Sequence, residues 1–255
     1  MNPDKVKAVI LCGGEGTRLR PLTYYFQKTM IPVGRWEKPL LEYIVRLLAY
    51  HGLRRIVMLV GYKARQIMNY FDDGSRFNVE VAYVEDRGDR MGNGWALLNA
   101  YERGAISQDE LLLVYYGDIL SNLNLTGMLE EHARAGADAT LALASGYQAP
   151  VGIAEVEGGV VKGLTEKPMI PAYVTIGVAS IEGHLLEEFK SLGKSRNRLD
   201  IMGDFIPHLI HEGRRVHAYI HSGFWYDLAS LERYEKLSHE AVEKYLGRIL
   251  DAARK

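Results

Sequence analysis

Short apolar runs alternate with helix-patterned segments through the first half of the chain, and no other feature limits the fold as tightly. Residues 6–11 are β-branched and apolar, the texture of a strand buried on both faces of a parallel sheet. Residues 40–51 set Leu40, Ile44, Leu47 and Leu48 at helical spacing, and Gly52 stops the helix. Strand-like runs follow at 55–60, 79–84, 111–115 and 139–144, with helical patterns at 64–71, 96–102 and 125–135 between them. Such alternation predicts βαβ units on a mainly parallel sheet. In the second half, residues 153–156 and 160–164 flank Glu157-Gly158-Gly159, a hairpin signal. Residues 173–181 and 216–220 read as strands, 201–211 as a helix, and 230–253 as one long charged terminal helix. No repeat or linker interrupts the chain, so residues 1–255 are expected to form one domain.

Bulk properties exclude several classes. The formal net charge of -1 provides no global basic field for nucleic acid or anionic lipid, so any phosphate site must be local. Cys12 is the one cysteine; it cannot form an internal disulfide, and at the end of an apolar run it reads as a small buried hydrophobe. The run it ends is too short for a signal peptide's apolar region, and no segment is apolar for long enough to cross a membrane. A cytoplasmic protein is expected. His208 and His211 share a helical face but lack a third ligand in the pattern, so they read as structural or surface residues.

The segment that carries chemistry is Leu11-Cys12-Gly13-Gly14-Glu15-Gly16-Thr17-Arg18-Leu19-Arg20-Pro21-Leu22-Thr23, directly after the first strand. Its glycines let backbone come close to a ligand and aim N–H groups at phosphate oxygens. Arg18 adds a planar charge suited to phosphate. A dinucleotide fingerprint would need a third glycine where Leu19 stands, and an ATPase phosphate loop would need a closing Gly-Lys-Ser/Thr.

The loop resembles the signature of the sugar-1-phosphate nucleotidyltransferases, Gly-Gly-x-Gly-Thr-Arg-Leu-x-Pro-Leu-Thr. The resemblance continues in Lys28-Thr29-Met30-Ile31-Pro32-Val33, where Thr29 replaces the usual proline, and in Lys38-Pro39-Leu40-Leu41-Glu42-Tyr43. Gly61-Tyr62, Tyr116-Gly117-Asp118, Thr165-Glu166-Lys167-Pro168 and Trp225-Tyr226-Asp227 follow in the family's order. It implies an α/β, Rossmann-like three-layer fold with a mainly parallel mixed sheet and a small sugar-facing β insertion. The implied activity joins a nucleoside triphosphate to a sugar 1-phosphate with Mg²⁺, and the implied assembly is a homo-oligomer.

The resemblance also implies roles. Leu11, Gly13, Gly14, Gly16, Thr17, Arg18 and Gly92 would bind the nucleotide. Arg18, Lys28 and Lys167 would be catalytic, neutralising phosphate charge. Gly152, Glu166, Lys167 and Gly177 would face the sugar phosphate, and Asp118 and Asp227 would hold the metal. Taken alone, Asp118 could cap the next helix, and Asp227 could sit in a turn before Ser230. Three departures stand out: Leu228-Ala229-Ser230 follows Asp227 in place of Ile-Gly-Thr, the asparagine expected near Gly177 is missing, and Trp95 replaces a glycine of the base loop. Trp95 reads as a core residue before it reads as a base platform. The base and the sugar stay open, and a non-catalytic relative of the same fold is the alternative reading.

Overall fold

The computed structural model describes residues 5–86, 90–149 and 151–252, with the side chains of 251 and 252 left aside. Pro150, which the sequence reading places before the hairpin, and Ala253, at its helix end, lie outside the described residues. The chain runs β1 (Val6–Cys12), β2 (Pro32–Val33), β3 (Lys38–Pro39), α1 (Leu40–Tyr50), β4 (Arg55–Val60), α2 (Ala64–Phe71), β5 (Glu80–Glu85), α3 (Asn93–Glu102) and β6 (Leu111–Tyr116). Then come β7 (Ile119–Ser121), α4 (Leu125–Ala135), β8 (Ala139–Gln148), β9 (Ile153–Glu157), β10 (Val160–Thr165) and β11 (Met169–Glu182). The last elements are α5 (Leu186–Gly193), α6 (Ile206–His211), β12 (Val216–His221), β13 (Trp225–Asp227), α7 (Leu231–Lys236) and α8 (His239–Ala252).

Seven strands form the central sheet in the order β12-β8-β11-β6-β1-β4-β5. Only β11 runs against its neighbours, pairing antiparallel with β6 and β8; the other pairs are parallel. The two-residue period of a strand sorts side chains onto the two faces. Ala8, Ile10, Ile56, Met58, Leu113 and Tyr115 join one apolar layer, beneath α1, α4 and α8. Val9, Val57, Leu59, Leu112 and Val114 join the other, beneath α3, α5 and α6. The three-layer α/β reading therefore holds, and the strands buried on both faces are the continuous apolar runs of the sequence.

Two helix readings need correction. Residues 230–253 are two helices, because Ser230 caps α7 by accepting from Arg233 N and Ser238 accepts from Ala241 N at 3.2 Å. Between them Leu237 is extended and buried. The charges of α8 leave one side apolar: Val242, Leu246, Ile249 and Leu250 form a buried stripe in the α1 layer. In the 201–211 segment the first turn, Ile201–Phe205, is a wider π turn, and α6 occupies the rest. The strands β8 and β11 run past the sheet, and the β9–β10 hairpin extends from their ends.

One backbone junction seats α3. Met91 N donates to Asn197 O at 3.0 Å, Leu199 N donates to Met91 O at 2.9 Å, and Gly94 N donates to Leu199 O at 2.9 Å. Gly92 has φ +100, and a Cβ there would lie 2.2 Å from Leu199 O. Neither backbone can yield without breaking that stitching. Gly92→Ala is therefore expected to cost about 3 kcal/mol or more, from strain and overpacking. A wild-type midpoint in chemical denaturation would contradict this account of the junction.

Candidate active site

A cleft opens at the carboxyl ends of β1, β4, β5 and β6, where open α/β sheets place ligands. Its floor is the loop after β1. Gly13 rests on the loop after β4: Tyr62 N donates to Gly13 O at 2.9 Å, and a Cβ on Gly61 would lie 2.8 Å from that oxygen. Gly14 has open space on its missing side chain's side. Gly16, at φ +64, precedes a 3₁₀ turn over Thr17–Leu19, whose Leu19 is fully buried. A Cβ on Gly16 would meet Lys28 Cβ at 2.9 Å, so the glycine lets the lysine stem lie against the loop. Thr17 and Arg18 are exposed on that turn.

Lys28 sits on another 3₁₀ turn, Lys28–Met30, and its ammonium pairs with the Asp118 carboxylate. The turn is held by a side chain that sequence reasoning missed. Gln27 is fully buried; its Nε2 donates to Cys12 O at 2.6 Å, and its Oε1 accepts from Thr29 N and Thr29 Oγ1, each at 2.6 Å. Gln27 N donates to Gln66 Oε1 on α2 at 2.6 Å. Thr29 thus supplies the N–H that the family's usual proline lacks. Nothing local marks Gln27: it is a polar residue in a loop until the fold closes around it.

Asp118 follows β6 through Gly117, where a Cβ would lie 2.8 Å from Leu11 O. It caps no helix: β7 comes next, and Asn124 caps α4 by accepting from Gly127 N. Leu228 N donates to Asp118 O at 2.9 Å, and the β7–β13 ribbon pairs Ile119 with Asp227. The two carboxylates are thereby neighbours across a short ribbon. Burial raises the Asp227 carboxyl above its ordinary value, and the Asp118 charge raises it further, against the pull of Arg233, Lys28 and Arg18.

The far wall carries Gly92, Asn93, Ala96 and Tyr116. Asn93 Oδ1 accepts from Ile201 N at 2.8 Å, and Asn93 Nδ2 donates to Tyr116 Oη at 2.9 Å. Asp86 lines the cleft at the end of β5. Trp95 turns away into the second core layer; Arg90 stacks on it at 4.0 Å, and its indole N–H donates to Arg196 O. Gly177, at φ +71, sits in a break of the β11 register, and a Cβ there would meet Ile119 and Tyr116. Glu166 and Lys167 are exposed at the root of the hairpin, 3.9 Å apart, and a Cβ on Gly152 would meet Glu166 Oε2 at 2.9 Å. The fold thus gathers Leu11, Gly13, Gly14, Lys28, Gly92 and Asp118 into one cleft, while Gly152, Glu166 and Lys167 stay at the root of the open hairpin and Gly177 packs on β11 against Ile119 and Tyr116.

No cluster of three or more His, Cys, Asp or Glu stands ready for a metal among the described residues, and none of their helices is long and apolar enough to cross a membrane. Two carboxylates suit Mg²⁺, which keeps waters and takes further oxygens from phosphates. Burial first and the Asp118 charge second disfavour the ionised Asp227 carboxylate, and a cation held there would offset both.

Residues 7–244 match the profile of the nucleotidyl transferase family. The chain is 29% identical over 245 residues to a UTP–glucose-1-phosphate uridylyltransferase of Synechocystis sp., covering 90% of this chain and 61% of the relative. It is 32% identical over 235 residues to a glucose-1-phosphate thymidylyltransferase of Streptomyces griseus, covering 89% and 63%. The chain spans about three fifths of the length of these curated relatives. The crystal structure of HddC from Yersinia pseudotuberculosis complexed with GMP-PN shares the fold, with a TM-score of 0.68 at 21% identity over 93% of this chain and 98% of that one.

Two measurements check this geometry. Gln27→Leu leaves Cys12 O and Thr29 N without their partner, and a buried polar group left unpaired costs about 1–3 kcal/mol. A loss of roughly 3 kcal/mol in denaturant stability is expected, and wild-type stability would remove Gln27 from its bracing role. Asp227 supplies the second. A carboxyl raised by folding contributes stability in acid, where folding holds its proton, and loses it as pH rises through the folded pKa. Asp227→Asn should therefore be more stable than wild type at neutral pH, with the gain fading in acid. A variant less stable than wild type at neutral pH would contradict the sign.

Proposed function

The chain belongs to the nucleotidyl transferase family, and we propose that it is a sugar-1-phosphate nucleotidyltransferase that converts a nucleoside triphosphate and a sugar 1-phosphate into a nucleoside diphosphate sugar and pyrophosphate. The observation that carries this reading is the Lys28–Asp118 pair set over the glycine loop, with Asp227 beside it. A sugar phosphate oxygen attacks the α-phosphorus, and the bond from that phosphorus to the β-phosphate oxygen breaks. Both reactants are anions, so positioning and charge neutralisation do most of the work and no covalent intermediate is needed.

The roles follow from placement. The backbone of Leu11, Gly13 and Gly14 lies under the nucleotide, and the Thr17–Arg18 turn faces the leaving pyrophosphate. Lys28 bridges triphosphate and sugar phosphate oxygens. Asp118 and Asp227 would hold Mg²⁺, which when bound neutralises phosphate charge. Before substrate arrives, Lys28 and Asp118 neutralise each other; with substrate, the lysine turns to phosphate, which leaves the Asp118 carboxylate free for the cation it would hold. Glu166 and Lys167 reach the sugar phosphate from the hairpin side, with Gly152 and Gly177 leaving room for it. Residues 1–255 act as one catalytic domain in the cytoplasm. The base is read by the far wall of the cleft, where Asn93 and Tyr116 stand.

The test is pyrophosphate release with Mg²⁺, screening dTTP, UTP, GTP, CTP and ATP against glucose-, mannose-, N-acetylglucosamine- and heptose-1-phosphates. One strong pair is expected. Asp118→Ala should lose turnover by at least about a hundredfold while staying folded, because charge stabilisation at the reacting phosphates is lost. Arg18→Lys should also lower turnover, since a point charge cannot replace a planar fork. Silence across the grid from folded protein, or normal turnover in Asp118→Ala, would overturn the reading.

A further inference from the structure

Asp227 stands on slight structure for a residue that has to be placed accurately. It ends β13, whose three residues pair with β7 alone, and a two-stranded ribbon this short is marginal by itself. Further support comes from α7, through Arg233. Arg233 Nε donates to Asp227 O at 2.5 Å. Arg233 N donates to Ser230 Oγ at 3.3 Å, and Arg233 O accepts from Tyr226 Oη at 2.7 Å. The guanidinium lies over the Tyr226 ring, 4.9 Å from its centre. Backbone N–H, carbonyl and side chain of this one residue are thus all tied to residues 226–230. All six residues of α7 are at least partly exposed, so the helix adds little to the core. Its contacts with the end of β13 are what it contributes.

We propose that Arg233 is a positioning residue, which holds the Asp227 carboxylate beside that of Asp118 so that the two take one divalent cation. The proposal rests on the reading of Asp118 and Asp227 as the metal carboxylates. The backbones of the pair are already coupled, since Leu228 N donates to Asp118 O at 2.9 Å. That bond ties them together from the β7 side, and Arg233 ties Asp227 from the α7 side. Groups behind a metal ligand orient it, and losing one costs about 10–100-fold in metal affinity or activity. A guanidinium suits the task. It is planar and always charged, and once its plane rests on the Tyr226 ring its Nε N–H has a fixed direction. Its charge acts in the same sense as its hydrogen bond. Burial and then the Asp118 charge push the Asp227 carboxyl up, and the Arg233 charge pulls against both. Lys28 is engaged by Asp118, whereas Arg233 is anchored to the Asp227 backbone itself.

Electron paramagnetic resonance of free Mn²⁺, titrated against the full chain with no nucleotide present, reads the site without catalysis. Wild type is expected to bind one Mn²⁺, and Asp227→Asn to lose it. Arg233→Met keeps a stem over Tyr226 but removes the donor and the charge, and is expected to bind Mn²⁺ at least about tenfold more weakly. Arg233→Lys, which keeps a charge and a donor, is expected to recover most of that loss. Lys236→Met, on the same helix with its exposed ammonium against Glu232, is expected to match wild type. In pyrophosphate release, the Mg²⁺ concentration for half-maximal rate should rise in Arg233→Met far more than turnover at saturating Mg²⁺ falls. Wild-type Mn²⁺ affinity in Arg233→Met, beside a weakened Asp227→Asn, overturns the role of Arg233 and leaves the metal carboxylates standing. Equal behaviour of wild type and Asp227→Asn, absence of binding included, overturns the metal assignment and this proposal with it. A Lys236→Met as weak as Arg233→Met is a general effect of α7 and overturns the proposal too.

Discussion

The pairing of Lys28 with Asp118 is the interaction around which the cleft is arranged. The two residues are far apart in sequence, and each is useful only where the other is. Both are partly shielded from water, and in such surroundings either charge alone would carry a desolvation cost that its partner offsets. The parallel pairing of β1 with β6 brings their loops side by side. The Gln27 amide then fixes the height of the lysine turn above the end of β1. An ion pair held this way is a site with its charges already placed. A ligand that brings both phosphate and cation re-pairs each charge and strands neither.

Close approach of backbones makes the arrangement possible. Gly61 admits Gly13 O, Gly117 admits Leu11 O, and Gly16 admits the Lys28 stem. Side chains at these positions would meet those atoms at 2.8–2.9 Å, inside van der Waals contact, and would force the loops and the charges they carry apart. The sheet beneath supplies rigidity: its strands are buried on both faces, so its carboxyl ends keep their spacing while the loops above them bind.

Much of this was legible in the sequence where one residue pattern has one physical cause. Apolar runs of strand length identified the parallel strands, and glycines after the first strand identified the loop that floors the cleft. Asp118 was legible because it ends a buried strand. The Gln27 brace was not, since its partners Cys12, Thr29 and Gln66 come from three elements that meet only in the folded chain. The ribbon of β7 and β13 was missed because three-residue strands have no periodicity to read. The break before α8 was missed because charged helical texture continues through Leu237 and Ser238, although Ser238 is itself a cap. Glu166 and Lys167 were legible as a motif, but their exposure is a property of the hairpin that carries them.

Calorimetric titration of wild type and Lys28→Ala with each Mg²⁺-bound nucleoside triphosphate in turn tests the central claim, that this pair and its loop form a triphosphate site. The account predicts that at least one nucleotide binds wild type and that the same nucleotide binds Lys28→Ala at least about tenfold more weakly, the loss of one charge-assisted hydrogen bond. Equal affinity in the two proteins, or no binding to folded wild type by any of the five nucleotides, would contradict it.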